Sequence, residues 1–420
     1  MELYTLRSPI EMYAQSPALL AAETITYLTF LLCFLHAYRN GGEHMLLLAI
    51  TLVAASAVDP FCLISPQIRN YYHDHASLLL ADRHVAPWQF PLFCDLAYLG
   101  AAAVWRLQLP LKVELAAVAV VNSYTFYPAD QFFCKWLVYQ WHDSDPLYAD
   151  RNGAGSGQCV PAGSSMWVMT YGITGSLVAR YAAKKYYDQG TPLRTMDVNW
   201  CRSFLLGVLV FLPGHIFPLF PLFYAPIAMI YGDATLAVRL FFGMCAVYWA
   251  QHWWLNRPTA LANNTIQHVG ARQSTQVLVL AALVWFGGLT CVGLFIPPES
   301  VRSLSVHQPF GGQNEATSAL CGENETYLFG LPGAIRKKYM CSDHFRFWQL
   351  CKGEEAGNAP QPGDETYAIC GTKGDAAFWW EYFSAIGIGV GLHLFCLAAT
   401  AHAGQKEKKN AQEKMKKKEM

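Results

Sequence analysis

The feature that most constrains this chain is a series of apolar segments, each about as long as a membrane-spanning helix. A bilayer core about 30 Å thick is crossed by roughly 20 apolar residues in helical form. Nine segments fit that length: Ala18–Tyr38, His44–Ile64, Pro87–Leu107, Leu109–Phe132, Gly163–Ala183, Cys201–Tyr224, Thr235–Trp254, Gln276–Ile296 and Tyr382–Ala401. The sequence therefore predicts an all-α fold, a polytopic transmembrane helical bundle of about nine spans.

The charge content agrees with a membrane protein. Only 14% of the residues are charged, whereas a soluble domain carries about 25%. The formal net charge is zero, so nothing in the overall charge indicates nucleic-acid binding. We expect membrane lipid as the partner, and the oligomeric state stays open.

The sixth segment contains helix-breaking residues. Pro213, Gly214 and Pro218 are followed by Pro221 and Pro226, and prolines inside a helix kink or end it. Residues 201–231 therefore form either one kinked span or a span followed by a re-entrant segment.

Basic residues in the short loops predict the orientation, since they concentrate on the cytoplasmic side. With nine spans, one face receives the Tyr181–Arg202 loop, Arg106 with Lys112, Arg257 with Arg272, and the Lys-rich tail. We expect a core of eight spans (1–296), a lumenal or extracellular loop (297–379), a last span (380–402) and a cytoplasmic tail (403–420). Residues 1–15 lack the apolar stretch of a cleavable signal peptide.

The long loop carries features of a lumenal segment. Cys321, Cys341, Cys351 and Cys370 predict two disulfides, for which three pairings are possible; the alternative is four free thiols. Asn324 begins a glycosylation sequon, Asn-Glu-Thr. A second sequon at Asn263 falls on the predicted cytoplasmic face and should be unused.

The tail resembles a retrieval signal of the endoplasmic reticulum. Lys417 and Lys418 stand fourth and third from the C-terminus, as in dilysine motifs, which are addresses read by a receptor. The alternative is a Lys-rich tail that binds anionic lipid. We expect an endoplasmic reticulum membrane protein with its C-terminus in the cytoplasm.

Acids and histidines predict a polar pocket near the lumenal face. Ionisable residues within spans are costly and mark functional sites. We take Asp59, Asp95, Asp130, His142 and Asp145 as the candidate catalytic residues. Such groups perform acid–base chemistry, or they cap helices and pair for packing.

A divalent metal is the one cofactor that the pattern suggests, and its identity stays open. His73, His75 and His142 are the candidate ligands, since neutral imidazole binds many metals. The histidine motifs of membrane di-iron oxygenases are absent from the sequence. So are the P-loop, GxSxG, HExxH and dinucleotide-binding motifs.

One partial resemblance bears on the substrate. Asp130, Trp136, Trp141-His142, Val160-Pro161 and Trp167 are similar to a pattern of the carotenoid-hydratase-type (bacterioruberin hydratase) membrane proteins. The stretch from Asp59 to Val85-Ala86-Pro87-Trp88 resembles the same family. The resemblance spans Ala54–Trp167 and implies an isoprenoid or polyene substrate, acid-catalysed water addition, and roles for Asp59 and Asp130. The alternative is a separate family of multi-pass membrane proteins.

Three functional classes remain open. An enzyme acting on a lipid-like or isoprenoid-like substrate explains acids and histidines on one face. A transporter or channel for a proton, a metal or a small solute explains the acids within the spans, but it needs polar groups in both leaflets. A structural partner protein needs no pocket.

Overall fold

The computed structural model describes residues 3–65, 68–69, 71–142, 144, 151–153, 158–187, 198–214, 223–256, 275–303, 308–312, 318–327, 334–341, 348–351, 360–365 and 367–419. Within them the chain is mostly helical. The helices are α1 (Pro9–Gln15), α2 (Pro17–Asn40), α3 (Gly42–Ile64), α4 (Gln89–Trp105), α5 (Leu111–Lys135), α6 (Ala162–Tyr187), α7 (Val198–Gly214), α8 (Ala225–Tyr231), α9 (Ala234–Asn256), α10 (Thr275–Phe295) and α11 (Ala376–Glu419).

Five helices in the described part of the chain are long and apolar enough to cross a membrane. They are α2, α3, α9, α10 and the first part of α11, Ala376–Ala398. This supports a multi-pass membrane protein. The other four predicted spans correspond to α4, α5, α6 and α7, and a total of nine spans stays a prediction.

Helix α4 lies at the centre of the bundle. Every residue from Gln89 to Trp105 except Phe90 is buried, because α2, α3, α5 and α6 surround it. A helix enclosed by other helices meets no lipid, so it can carry polar residues such as Gln89 and Asp95.

The structure describes residues on both sides of the break predicted near residue 213. Helix α7 ends at Gly214, and α8 begins at Ala225 with Pro226 in its first turn. Residues 215–222, including His215, lie outside the described residues. The predicted choice between a kinked span and a re-entrant segment therefore stays open.

One end of the bundle carries the C-terminal ends of α3, α5 and α10 and the first residues of α2, α4, α6 and α11. Trp136, just after α5, donates its indole N–H to the carbonyl of Ile296, just after α10, at 2.6 Å. Lys135 donates to the hydroxyl of Thr372, shortly before α11, at 3.0 Å. These contacts bring the C-terminal ends of α5 and α10 and the start of α11 to the same end of the bundle.

The described part of the segment between α10 and α11, residues 297–375, lies over this end. We call it the capping segment and the end that it covers the capped end. Ser16, before α2, donates to the carbonyl of Arg302, and Arg336 donates to the carbonyl of Ile68, after α3, at 2.5 Å. The opposite end of the bundle is called the far end.

Short strands stiffen the capped end. They are β1 (Tyr4–Leu6), β2 (Tyr71–His73), β3 (Leu78–Leu80), β4 (Tyr139–Trp141), β5 (Arg151–Asn152), β6 (Val160–Pro161), β7 (Arg302–Ser303), β8 (Phe310–Gly312), β9 (Asn324–Tyr327), β10 (Ala334–Lys337), β11 (Met340–Cys341), β12 (Trp348–Leu350) and β13 (Ile369–Gly371). The antiparallel pairs are β1–β3, β2–β4, β5–β6, β9–β10, β12–β13 and β13–β7, whereas β8 and β11 are parallel. The sequence analysis did not predict these strands, and the bundle itself is all-α.

The capping segment contains two disulfides. Cys321 pairs with Cys341, and Cys351 pairs with Cys370. This is the sequential pairing among the three that the sequence left open. Each bond joins two cysteines about twenty residues apart. The two bonds hold together a segment that has many short strands and little core.

The last helix runs further than the predicted span. Helix α11 begins at Ala376 and continues without a break to Glu419. Its backbone includes Lys417 and Lys418, whose side chains lie outside the described part.

Candidate functional site

Asp130 is the centre of a buried hydrogen-bonded network at the capped end. It lies in the last two turns of α5 and is fully buried. Tyr139 donates its hydroxyl to one carboxylate oxygen, and Ser164 donates to the other at 2.6 Å. Two hydroxyl donors therefore fix the orientation of the Asp130 carboxylate.

The β2–β4 pairing positions the aromatic side of this network. It places Tyr71 opposite Trp141 and His73 opposite Tyr139. The rings of Tyr71 and Trp141 are 5.1 Å apart, and those of His73 and Tyr139 are 6.1 Å apart. The side-chain amide nitrogen of Gln89 lies 2.5 Å from Nδ1 of His73. The amide nitrogen donates, so Nδ1 of His73 accepts the hydrogen bond. Burial lowers the pKa of His73 to about 3, which leaves the ring neutral at neutral pH.

His142 and Arg151 form the outer part of the network. Arg151 donates to the carbonyls of Cys159 at 3.1 Å and His142 at 3.3 Å. Burial, and then the positive charges of Arg336 and Arg151, hold the pKa of His142 well below its ordinary value. His142 is therefore neutral and lies beside two cations.

The other predicted catalytic residues do not join this network. Asp59 is buried in α3 beside Cys62. Asp95 is buried in α4 and faces the thiols of Cys33 and Cys94. Among the residues that the structure describes, no hydrogen bond or ion pair joins Asp59 or Asp95 to Asp130. Asp145 lies outside the described residues.

The predicted metal ligands are also separate. His73 is held by Gln89, whereas the carbonyl of His75 accepts from Arg7 at 2.7 Å. Burial lowers the pKa of His75, which is flanked by Asp74, Arg83 and Arg7. Within the described parts of the chain, no group of three or more His, Cys, Asp or Glu side chains could hold a metal ion.

A cavity of about 360 Å³ lies beside the Asp130 network. It opens between α5, α6, α9 and α11. Its polar lining consists of Ser123, Tyr124, Tyr127, Asn152, Ser165, Arg239 and Glu381, and its apolar lining includes Phe126, Val168, Met169, Val238 and Phe242. Two residues of the lining are chain neighbours of the network: Ser165 follows Ser164, and Asn152 follows Arg151. The network therefore supports one wall of the cavity.

The cavity brings together one cation and one acid. Tyr127 donates its hydroxyl to Glu381 at 2.8 Å, and Arg239 is exposed at the start of α9. Asn152 donates to Ser165 at 3.2 Å. The sequence analysis missed Glu381 because the predicted last span starts one residue later, at Tyr382. An acid at the edge of an apolar run is the signal that points to it.

A comparison with protein families adds one finding. A family model described as a domain of unknown function, DUF7802, matches residues 3–399. The chain belongs to the DUF7802 family. The match includes both the helical bundle and the capping segment, so the DUF7802 domain contains all of the cavity lining. No curated protein and no solved structure matches the chain.

The far end of the DUF7802 domain holds a second set of buried polar groups. The hydroxyl of Tyr98 lies 2.7 Å from Nδ1 of His36 and 3.0 Å from Nδ1 of His44. A hydroxyl has one proton, so it donates to one ring and accepts from the other. One of the two histidines therefore carries its proton on Nδ1.

An ion cluster completes the far end. Arg180 bonds to Glu114 at 2.9 Å and to Glu43 at 3.0 Å. Its guanidinium also lies 4.2 Å from the ring centre of Trp105.

Proposed function

We propose that this protein is a multi-pass membrane protein of the endoplasmic reticulum that acts as an enzyme on a lipid-like or isoprenoid-like substrate. The supporting observation is the cavity, which combines an apolar wall with Arg239 and Glu381 beside the Asp130 network. Sites for small molecules are concave and mostly apolar, with a few convergent polar groups. At about 360 Å³ the cavity suits a headgroup with a short piece of chain.

The surroundings of Arg239 support an amphiphilic substrate. Further along α9, the side chains of Leu240, Met244 and Val247 are 45%, 52% and 65% exposed. An apolar tail leaving the cavity would lie along these side chains, in contact with lipid. The guanidinium would bind an anionic headgroup, since its planar donors match phosphate and carboxylate oxygens.

Glu381 is the group that we assign to proton transfer. In this assignment its carboxyl group gives a proton to one carbon of a double bond, and the carboxylate then takes a proton from the water that adds to the other carbon, while Tyr127 keeps the group oriented. Asp130 is a positioning residue, because its oxygens already accept from Tyr139 and Ser164. The resemblance to carotenoid-hydratase-type proteins supports an isoprenoid chain and water addition as the reaction.

The test is the lipid that co-purifies with the full-length protein. Arg239→Gln should lower the amount of bound anionic lipid about tenfold or more, because a hydrogen bond to a charged group contributes about 1.5–3 kcal/mol. Arg39→Gln is the matched control, since Arg39 is an exposed arginine at the far end. Lipid mass spectrometry of the three proteins measures this. Equal lipid retention in all three would exclude the cavity as the binding site.

The enzymatic part is tested separately. Glu381→Gln should keep the bound lipid but stop its conversion when the protein is incubated with the lipid identified above. Conversion at the wild-type rate by Glu381→Gln would remove Glu381 from the chemistry and leave a lipid-binding protein.

A proton-coupled transporter is the second candidate, and a specific observation favours it. Polar groups occupy both halves of the bundle: Asp95 is buried nearer the capped end, and Tyr98 and His36 are buried nearer the far end beside the half-buried His44. Both oxygens of Asp95 are buried and accept no hydrogen bond from the residues that the structure describes. Such groups could pass a proton along α4.

Proton flux into liposomes tests this candidate. If the path exists, Tyr98→Phe should lower the flux strongly, because it removes the hydroxyl between two histidines. Tyr27→Phe changes an exposed tyrosine of α2 and should leave the flux unchanged. Equal flux through both variants would reject the path.

A further inference from the structure

Two buried cysteines meet beside the Asp130 network. Cys134 lies in the last turn of α5, and Cys159 lies directly before β6. Both are fully buried, and neither belongs to the two disulfides of the capping segment. Their side chains interact directly with each other.

The backbone explains why the two sulfurs are neighbours. The sulfur of Cys159 lies 4.0 Å from the carbonyl oxygen of Gln131, one turn before Cys134 on α5. The sulfur of Cys134 lies 4.0 Å from a carboxylate oxygen of Asp130. Both thiols therefore occupy the same side of the last turn of α5.

This end of the molecule also carries the disulfides Cys321–Cys341 and Cys351–Cys370. Disulfides form and persist in oxidising compartments. We propose that Cys134 and Cys159 form a third disulfide, which ties β6 to the end of α5 beside Asp130. The inference is independent of the substrate proposed above.

The reaction is a thiol–disulfide exchange with a disulfide-carrying oxidoreductase of the same compartment. Each cysteine loses its S–H bond, one S–S bond forms between them, and the disulfide of the oxidoreductase is reduced to two thiols that take up the two hydrogens. Because both sulfurs are buried in the folded protein, the exchange takes place before this region is closed.

The bond would brace one wall of the cavity. It closes a chain segment from Cys134 to Cys159 that contains β4 and β5, and with them Tyr139 and Asn152. The covalent link would then hold Tyr139, which donates to Asp130, and Asn152, which belongs to the polar wall of the cavity.

Differential alkylation of the full-length protein tests the proposal. Free thiols are blocked with a light reagent in denaturant, disulfides are reduced, and the released thiols are labelled with a heavy reagent before peptide mass spectrometry. Cys134 and Cys159 should carry the heavy label, as Cys321 and Cys341 do. Cys33 and Cys94, a second pair of buried neighbours, are the matched control and should carry the light label. Light label on Cys134 and Cys159 would overturn the proposal.

Two variants test the pairing itself. In Cys134→Ser, Cys159 should become light-labelled, and in Cys159→Ser, Cys134 should become light-labelled. A heavy label on the remaining cysteine would mean that it pairs elsewhere, which contradicts the assigned bond.

Discussion

Arg180 forms two ion pairs at the far end of the bundle. It lies between Glu43 and Glu114, and its side chain is only 14% exposed. The two carboxylates are buried as well, on different helices. One guanidinium therefore joins α6 to the first turns of α3 and α5.

Arg180→Met should destabilise the protein strongly. Removing one partner of a buried ion pair costs about 3–5 kcal/mol, because the remaining charge is left without compensation. Thermal unfolding of the purified protein in detergent measures the effect. Arg39→Met, at the same end but exposed, should change the unfolding temperature little.

A triple variant separates lost charge compensation from lost packing. Adding Glu43→Gln and Glu114→Gln to Arg180→Met removes the uncompensated charges and should restore part of the stability. If Arg180→Met unfolds at the same temperature as Arg39→Met, the ion cluster does not stabilise the bundle.

Single residues were also where sequence reasoning fell short. It selected Asp130, which lies at the centre of a hydrogen-bonded network, and His142, whose backbone carbonyl accepts from Arg151. It also selected Asp59 and Asp95, which face other neighbours. Spacing along the chain gives the depth of a residue in the membrane but not the direction of its side chain. A span that is apolar on all sides has no polar face from which that direction can be read.

Helices, by contrast, were largely predictable. Gly42–Ile64 and Thr275–Phe295 agree within two residues with the predicted spans His44–Ile64 and Gln276–Ile296, since length and hydrophobicity suffice to identify them. The strands of the capped end were not predictable, because each is only two to four residues long, and several, such as β1 with β3 and β2 with β4, depend on a partner distant in sequence.

Helix α11 packs closely at one glycine. A Cβ atom on Gly389 would lie 2.7 Å from the backbone oxygen of Tyr124 on α5 and 2.6 Å from the ring of Phe286 on α10. A backbone oxygen cannot move aside without moving its helix. Gly387, two residues earlier, has no neighbour within 4 Å.

Gly389→Ala should therefore destabilise the protein, and Gly387→Ala should not. Overpacking costs about 1–3 kcal/mol, and α11 would shift away from α5. Thermal unfolding of both variants in the same detergent gives a comparison within one helix. Equal unfolding temperatures would show that α11 does not pack against α5 as described.

At the scale of the whole molecule, the orientation in the membrane decides which compartment the cavity faces. We propose that the capped end is lumenal, supported by its two disulfides and by the exposed Asn324 on β9. The helix directions place Arg106 and Lys112 at the far end, which agrees with a cytoplasmic far end under the positive-inside rule.

Glycosylation of the expressed protein tests this orientation. Removal of the glycan by endoglycosidase H should shift the wild-type band, and Asn324→Gln should abolish the shift. Asn263→Gln is the control and should behave as wild type. A shift lost only in Asn263→Gln would reverse the orientation and place the capped end in the cytoplasm.

Helix α4 is synthesised before most of the helices that enclose it. Helices α2 and α3 precede it, whereas α5, α6, α10 and α11, which also contact it, follow. Until they are inserted, the side of α4 that they will cover has no protein neighbour. The nascent chain thus passes through a stage in which its future centre is exposed to lipid, and the insertion machinery or a membrane chaperone has to shield α4 until translation reaches the later spans.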